Sequence, residues 1–496
     1  MIKDFRNTLK QTVIYGLSNL SIKAAGVILL PLYTRSLSTT EFGELAILEV
    51  FAQFFVGVIS LQIPSAFLRF GSNDLSDKEL RRLYFTALSS LMLFSLLFVG
   101  VALPFKEQLS TLIFDNSYYQ LHFKLLIFSI AFEVLGLLPL QLLRLKEKSV
   151  AYFFYVLLKF ATLIGFVWYF VVYQDEKVYG AVKAILFSNL VFWISTLPLQ
   201  IRNLSLSFSK KYGIEMYRYG GPLIFTSISA VLLTISDRLI IKFYGEFDEV
   251  GIYTLAYKIG SLSNLLIIAS FSIAFLPIAF KKLSHPDFKP FFSKTLSIYV
   301  ALIVILTLVV SVFGFELTKV FSSGEKAYWL AAILVPFIAF LFIFKALNNY
   351  LAYIFLLTKK TRYHAQVTLL GVFANIGLNF LLVADYGMYG AVAATGLSYC
   401  IMTIASYRWA KRLMPINYEL MRIALIILSC AAFIALSIPL NDLDLLIRIF
   451  LKSLIIAAYL LLLYRFGTST SERNRLTKLW KLLFSKGGIK KIVQEL

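Results

Sequence analysis

The chain has 496 residues, of which 59% are hydrophobic and only 15% charged; its mean hydropathy is +0.79 and its formal net charge +21. A soluble protein is about 25% charged, so these values exclude a soluble enzyme or a soluble nucleic-acid binder and place the chain in a bilayer. The positive surplus is that of basic loops on one membrane face, with no nucleic-acid partner implied.

The apolar runs are continuous rather than alternating, which selects transmembrane helices over a barrel. Fourteen spans are predicted in chain order: 11–34, 42–66, 84–104, 121–143, 150–173, 178–201, 216–243, 251–280, 293–315, 327–357, 363–384, 388–410, 419–440 and 445–466. Lysine and arginine collect at every second connection, which predicts both termini in the cytoplasm and an even number of spans. The first run, from Thr12 to Tyr33, is too long for a signal-peptide core and lacks a small-residue cleavage site, so it reads as a retained helix. Cys400 and Cys430 lie inside apolar runs, which argues against a disulfide framework. No connection is long enough to hold a soluble catalytic domain. After Phe466 comes a basic tail in which Leu476, Leu479, Trp480 and Leu483 have helical spacing. An interfacial helix on anionic lipid and a short basic tail both fit that pattern.

The chain repeats itself. "VYGAVKA" at 178–184 matches "MYGAVAA" at 388–394, "EFGELAIL" at 41–48 matches "EVGIYTLA" at 249–256, and "IYGLSNLS" at 14–21 matches "RYGGPLIF" at 218–225. The offsets are nearly constant. The expected fold is therefore an all-α polytopic membrane protein of about fourteen helices, with two parallel six-helix repeats plus two C-terminal helices. The expected division is an N-terminal bundle at 1–205, a C-terminal bundle at 206–412, two added helices at 413–466 and the tail at 467–496. Six spans per repeat is an even number, so both repeats have the same orientation, and two such bundles meeting at a central cleft suit alternating access.

Charges inside the spans are the candidate site residues, because each costs about 2.5–3.5 kcal/mol at mid-bilayer. The cations are Lys23, Lys159, Lys183, Arg238, Lys258, Lys345, Arg448 and Lys452; the clearest anions are Glu49, Glu133 and Asp237. Helical spacing aligns Glu49 with Gln53, Gly57 and Ser60, and Gly371 with Asn375 and Asn379. Together these stripes predict a hydrated, net-cationic central cavity. Lys183, Arg448 and Lys452 lie near span ends, where snorkelling to the headgroups explains them. Pairing between helices is the alternative for the rest. Asp237 and Arg238 are adjacent, and adjacent helical residues do not face each other, so they reach different partners. Their counterparts in the first repeat are Leu29 and Leu30. "NDLD" at 441–444 contains an Asp-x-Asp pair that could hold a metal in a membrane glycosyltransferase or polymerase; two acids capping a span explain it equally well.

The stretches "PLYTRSLSTTEFGELA" at 31–46, "SDRLIIKFYGEFDEVGIYTLAYKI" at 236–259 and "YGAV" at 179–182 and 389–392 resemble the polysaccharide-transporter (O-antigen and capsule flippase) family. That family belongs to the superfamily that also holds multidrug extruders and lipid II flippases. The resemblance implies translocation of an undecaprenyl-pyrophosphate-linked oligosaccharide across a bacterial inner membrane, coupled to a proton or sodium gradient. It implies no enzymatic step, cofactor or metal. A cationic lumen suits a pyrophosphate headgroup. Lys23, Arg35, Lys159, Arg238, Lys258 and Lys345 are then the expected substrate contacts, and Asp237, Glu49 and Glu133 the expected ion-coupling carboxylates. A lipid II flippase shares this chemistry; a multidrug cation extruder would need an anionic or aromatic cavity.

Overall fold

A computed structural model of the protein describes residues 26–72 and 75–467. Most of the first predicted span, Lys23 within it, and residues 468–496 of the predicted tail lie outside that description. Among the described residues there is no strand, and eleven helices are long and apolar enough to cross a membrane. Large apolar side chains such as Leu93, Leu96 and Val101 point outward along Asp77–Ala102, as a lipid-facing surface requires. The protein is a multi-pass, all-α membrane protein.

Several predicted spans form single helices, among them Gln120–Leu145, Lys177–Arg202 and Phe288–Val312. Serine caps start two others. Ser38 accepts from the Glu41 amide at 3.1 Å while the Glu41 carboxylate accepts from the Ser38 amide at 2.8 Å, and Ser76 and Glu79 repeat the motif. Such reciprocal capping satisfies amides that have no partner inside the helix.

Four predicted spans differ from the structure. The run 42–66 is two helices, Thr39–Ile59 and Ile63–Gly71, with Leu61 and Gln62 at positive φ between them. Pro64 explains the break, because its ring has no N–H to offer and clashes with the preceding turn, whereas the start of a new helix tolerates it. The run 251–280 is interrupted: Phe247–Gly260, a wide turn at Asn264–Ile268, then Ala269–Lys282. The runs 363–384 and 388–410 have no loop between them. They form one helical stretch, Arg362–Leu413, broken only at Gly387, which adopts φ 51° and ψ −135°. The chain reverses there, because the Asn375 side chain reaches Thr395 at 3.2 Å, a separation of about 30 Å along a straight helix.

The connections gather at two ends of the molecule. At one end the Thr34 hydroxyl donates to the Phe321 carbonyl at 2.7 Å, and the Tyr328 hydroxyl donates to the carbonyls of Leu37 and Ser38 at 3.0 and 2.8 Å. Lys177 donates to the Ser36 carbonyl at that same end. At the other end the Ser293 hydroxyl donates to the Asn417 carbonyl. The first end also holds a backbone crossing. A methyl group on Gly43 would collide with the Phe247 carbonyl, and one on Gly251 would collide with the Thr39 carbonyl. These contacts are reciprocal at the offset that relates the two "E-x-G" segments. Only glycine permits so close an approach of two backbones.

Apolar side chains form two large clusters. One runs through residues 29–259 and takes in parts of 310–342 and 383–392; the other joins residues between 233 and 463.

Candidate functional site

A cavity of about 520 Å³ opens among Thr39–Ile59, Gln120–Leu145, Ser149–Val167, Lys177–Arg202 and the middle of Lys210–Tyr244. Its walls are largely apolar, with polar groups set among them. Glu49, Gln53, Gly57 and Ser60 face it from one stripe of the first of these helices. Glu133, Lys159, Ser188, Asn189 and Ser227 face it from the others.

Each cavity carboxylate meets an ammonium. Glu49 lies 3.3 Å from Lys258, and Glu133 lies 3.3 Å from Lys159. All four side chains are between 26% and 33% exposed. Lys258 also sits over the Phe42 ring at 5.3 Å and Lys159 over the Phe192 ring at 5.7 Å, positions in which an aromatic face attracts a cation. Among the described residues the cavity lining carries two carboxylates and one ammonium, with Lys258 paired to Glu49 but not itself in the lining, which corrects the expected cationic surplus.

The remaining intramembrane cations lie elsewhere. Lys183 grips both oxygens of Glu176 at 2.7 and 2.9 Å. Lys452 is fully buried and spends its three protons on both oxygens of Glu316 and on the Asn441 side chain. Arg448 lies 2.7 Å from the same Glu316. These three cations do not snorkel. Lys183 pairs with the residue that caps its own helix, and Arg448 and Lys452 pair across helices with Glu316. Asn441, from the "NDLD" segment, serves this cluster.

Asp237 and Arg238 reach different partners. Asp237 is completely buried. One of its oxygens accepts from Tyr253 at 2.6 Å and Thr395 at 2.9 Å; the other accepts from Asn379 at 2.9 Å and Asn375 at 3.3 Å. Ser236 in turn donates to Asn375 at 2.7 Å. The Asn379 amide oxygen, also buried, has no hydrogen-bond partner. Four segments of the chain thus converge on one carboxylate. Arg238 points away from it, donating to the Thr254 hydroxyl at 3.0 Å and the Thr234 carbonyl at 2.9 Å, with its guanidinium 5.1 Å from the Tyr257 ring. Neither residue lines the cavity. Lys345 lies over the Phe342 and Tyr399 rings, and Arg35 is exposed at the end of the helix over 26–36.

The sequence pattern found Asp237, Asn375 and Asn379 but missed Tyr253, Thr254 and Thr395. A tyrosine or threonine in an apolar run carries no signal of its own; the Gly387 reversal is what brings Thr395 back to Asp237. A second, larger groove of about 730 Å³ lies between Ala331–Leu357, the helix after Gly387 and Leu420–Ser437. It is almost wholly apolar and holds no charged group.

Fold and cavity together define a class: an all-helical, multi-pass membrane protein with a largely apolar cavity lined by two carboxylates, and a completely buried carboxylate apart from it. Residues 8–283 match the family described as polysaccharide biosynthesis protein, which is more than half of the chain, and the chain belongs to that family. It is 26% identical over 277 residues to a Haemophilus influenzae protein named Lsg locus putative protein 1, covering 52% of this chain and 62% of that one. It is 21% identical over 242 residues to the probable low-salt glycan biosynthesis flippase Agl15 of Haloferax volcanii, covering 48% and 51%. The chain thus spans about half to three-fifths of the curated relatives it matches. The fold is shared with the lipid II flippase MurJ in an inward closed conformation (TM-score 0.74, 15% identity, 91% of this chain and 99% of that chain). It is also shared with an inward-facing multidrug resistance MATE family transporter of the MOP superfamily (TM-score 0.66, 15% identity, 83% and 98%).

Proposed function

We propose that the protein is a flippase for a lipid-linked glycan, an undecaprenyl-pyrophosphate-linked oligosaccharide, which it moves across a bacterial inner membrane by alternating access. The observation that carries this reading is a cavity lined by Lys159, with Lys258 paired to the lining residue Glu49, in a chain of the polysaccharide biosynthesis family. Phosphate oxygens are well satisfied by ammonium donors, and the apolar exterior leaves the polyprenyl tail in lipid. With both termini cytoplasmic, the end bearing Ser38 and Tyr328 is the outer face. Contacts between residues before 206 and after 206 hold that end shut, so the cavity serves the inner side in this state. The division into bundles at 1–205 and 206–412 supplies the two bodies that rock.

The headgroup contacts in this reading are Lys159 and Lys258. Arg238 and Lys345 scaffold the second bundle. The eight intramembrane cations do not by themselves distinguish a flippase from a multidrug extruder, because Lys183, Arg448 and Lys452 are paired outside the cavity; membership of the family does.

Asp237 is the ion-coupling carboxylate. Its hydrogen-bond partners, the Tyr253 and Thr395 hydroxyls and the Asn375 and Asn379 amides, are all neutral, which leaves its charge for a proton or a small hard cation such as sodium. Glu49 and Glu133 engage the cavity lysines instead.

The test is a proteoliposome assay with the purified full chain and undecaprenyl-pyrophosphate-linked oligosaccharide. Protein-dependent appearance of the glycan on the opposite leaflet, accelerated by a sodium or proton gradient, is expected. Absence of glycan transfer, with a cationic dye transported instead, would overturn the reading in favour of an extruder.

A further inference from the structure

The four lysine–glutamate pairs described above fall into two geometries. Outside the cavity, Lys183–Glu176 and Lys452–Glu316 are two-oxygen grips at 2.7–2.9 Å. Inside it, Lys159–Glu133 and Lys258–Glu49 are single contacts at 3.3 Å between partly exposed side chains. A charge-assisted hydrogen bond at full strength is about 2.7–2.9 Å long. The cavity pairs are thus the looser of these four, and Glu49, Glu133 and Lys159 line the cavity, where a ligand can reach them.

They also differ from each other. Glu133 and Lys159 belong to neighbouring helices of the same bundle. Glu49 and Lys258 belong to different bundles, on the two helices whose backbones cross at Gly43 and Gly251. Lys258 lies seven residues beyond Gly251, two turns or about 10 Å along the helix. The Glu49–Lys258 pair therefore ties the bundles together on the cavity side of the closed end.

We propose that Glu49 and Glu133 are resident counter-ions which an anionic headgroup displaces, and that displacement at Lys258 unlatches the closed end. This rests on the flippase reading and adds how occupancy triggers opening. When the cavity is empty, each ammonium keeps a carboxylate partner, so the bundles stay closed without stranding a charge in a low-dielectric interior. When a pyrophosphate enters, it presents several oxygens and more negative charge than one carboxylate and takes over both lysines. Exchange at Lys159 anchors the headgroup within one bundle. Exchange at Lys258 removes the cross-bundle attraction and leaves Glu49 facing a like charge, which favours separation at Gly43–Gly251. A neutral lipid displaces neither carboxylate and does not open the gate.

The test uses full-length protein in nanodiscs, with Cys400→Ala and Cys430→Ala and spin labels at Thr40→Cys and Glu325→Cys, exposed positions on opposite sides of the closed end. The label–label distance is measured with and without undecaprenyl pyrophosphate, whose binding is followed separately by native mass spectrometry. In the otherwise native protein, ligand is expected to shift the distribution to longer distances. Glu49→Gln is expected to show the long population without ligand, whereas Glu133→Gln keeps the short one. The swap Glu49→Lys with Lys258→Glu is expected to restore the short distance without ligand. Binding without any shift, or a long population without ligand in the swap, overturns the latch and leaves the flippase reading intact. Failure of undecaprenyl pyrophosphate to bind at all overturns both.

Discussion

An added methyl group at the helix crossing tests whether closure of this end is part of the proposed transport cycle, in which it is the outer end. A Cβ on Gly43 would collide with the Phe247 carbonyl oxygen, lie 2.8 Å from its carbonyl carbon and 3.0 Å from the Gly251 amide nitrogen. All three are backbone atoms, so no rotamer change relieves the clash and the two helices must move apart. Overpacking of this kind costs about 1–3 kcal/mol. The clash exists only while the bundles are closed at this end, so Gly43→Ala and Gly251→Ala should shift the conformational equilibrium toward the outward-open state by about 5–150-fold. Gly100→Ala is the control, because a methyl there meets nothing within 4 Å. The assay is labelling of Leu45→Cys, a buried cavity position about half a turn from Gly43, by a membrane-impermeant maleimide added from the outer face. The background lacks Cys400 and Cys430. Labelling should accelerate in both glycine variants and not in the control, and glycan transfer should slow. Wild-type labelling and transfer in both glycine variants would refute the argument that backbone contact closes this end.

Three further outcomes are expected. Asp237→Asn replaces an acceptor of four hydrogen bonds with a neutral amide; transport in proteoliposomes should lose its acceleration by a sodium or proton gradient, and full gradient dependence would remove Asp237 from coupling. Glu316→Gln leaves Arg448 and Lys452 buried without a counter-charge and should cost about 3–5 kcal/mol, read as a lowered unfolding temperature in detergent. Lys452→Met keeps the Arg448–Glu316 pair and should cost less, so the reverse order would refute the proposed charge balance. Lys159→Met should weaken retention of undecaprenyl pyrophosphate about tenfold or more, the loss of one charge-assisted contact of roughly 1.5–3 kcal/mol, while the Arg238→Met variant that still folds should bind as wild type.

Much of this fold is legible from hydropathy, because a bilayer leaves helices and closed barrels as the only ways to satisfy buried backbone groups. The matched glycines were legible too, as an internal resemblance, although nothing in the spacing said that Gly43 and Gly251 would touch each other. The breaks at Leu61–Gln62 and Gly387 were harder. Pro64 signals the first, but a lone glycine between two apolar runs does not say whether it bends, loops or reverses the chain.

By itself the sequence determined that the protein is helical and membrane-embedded, which runs are apolar, and which eleven charges need an explanation. Those facts are local, depending on composition and on a 3.6-residue period. Only the tertiary structure decided which charge meets which. Lys452 and Glu316 are 136 residues apart, Lys258 and Glu49 209, and Asp237 and Thr395 158. Charge pairing is settled by which helices pack side by side and at what height, and a one-dimensional pattern does not record that. The cavity that looked cationic as a count of residues is not so among the described residues, because two carboxylates line it and each pairs with one lysine from another helix.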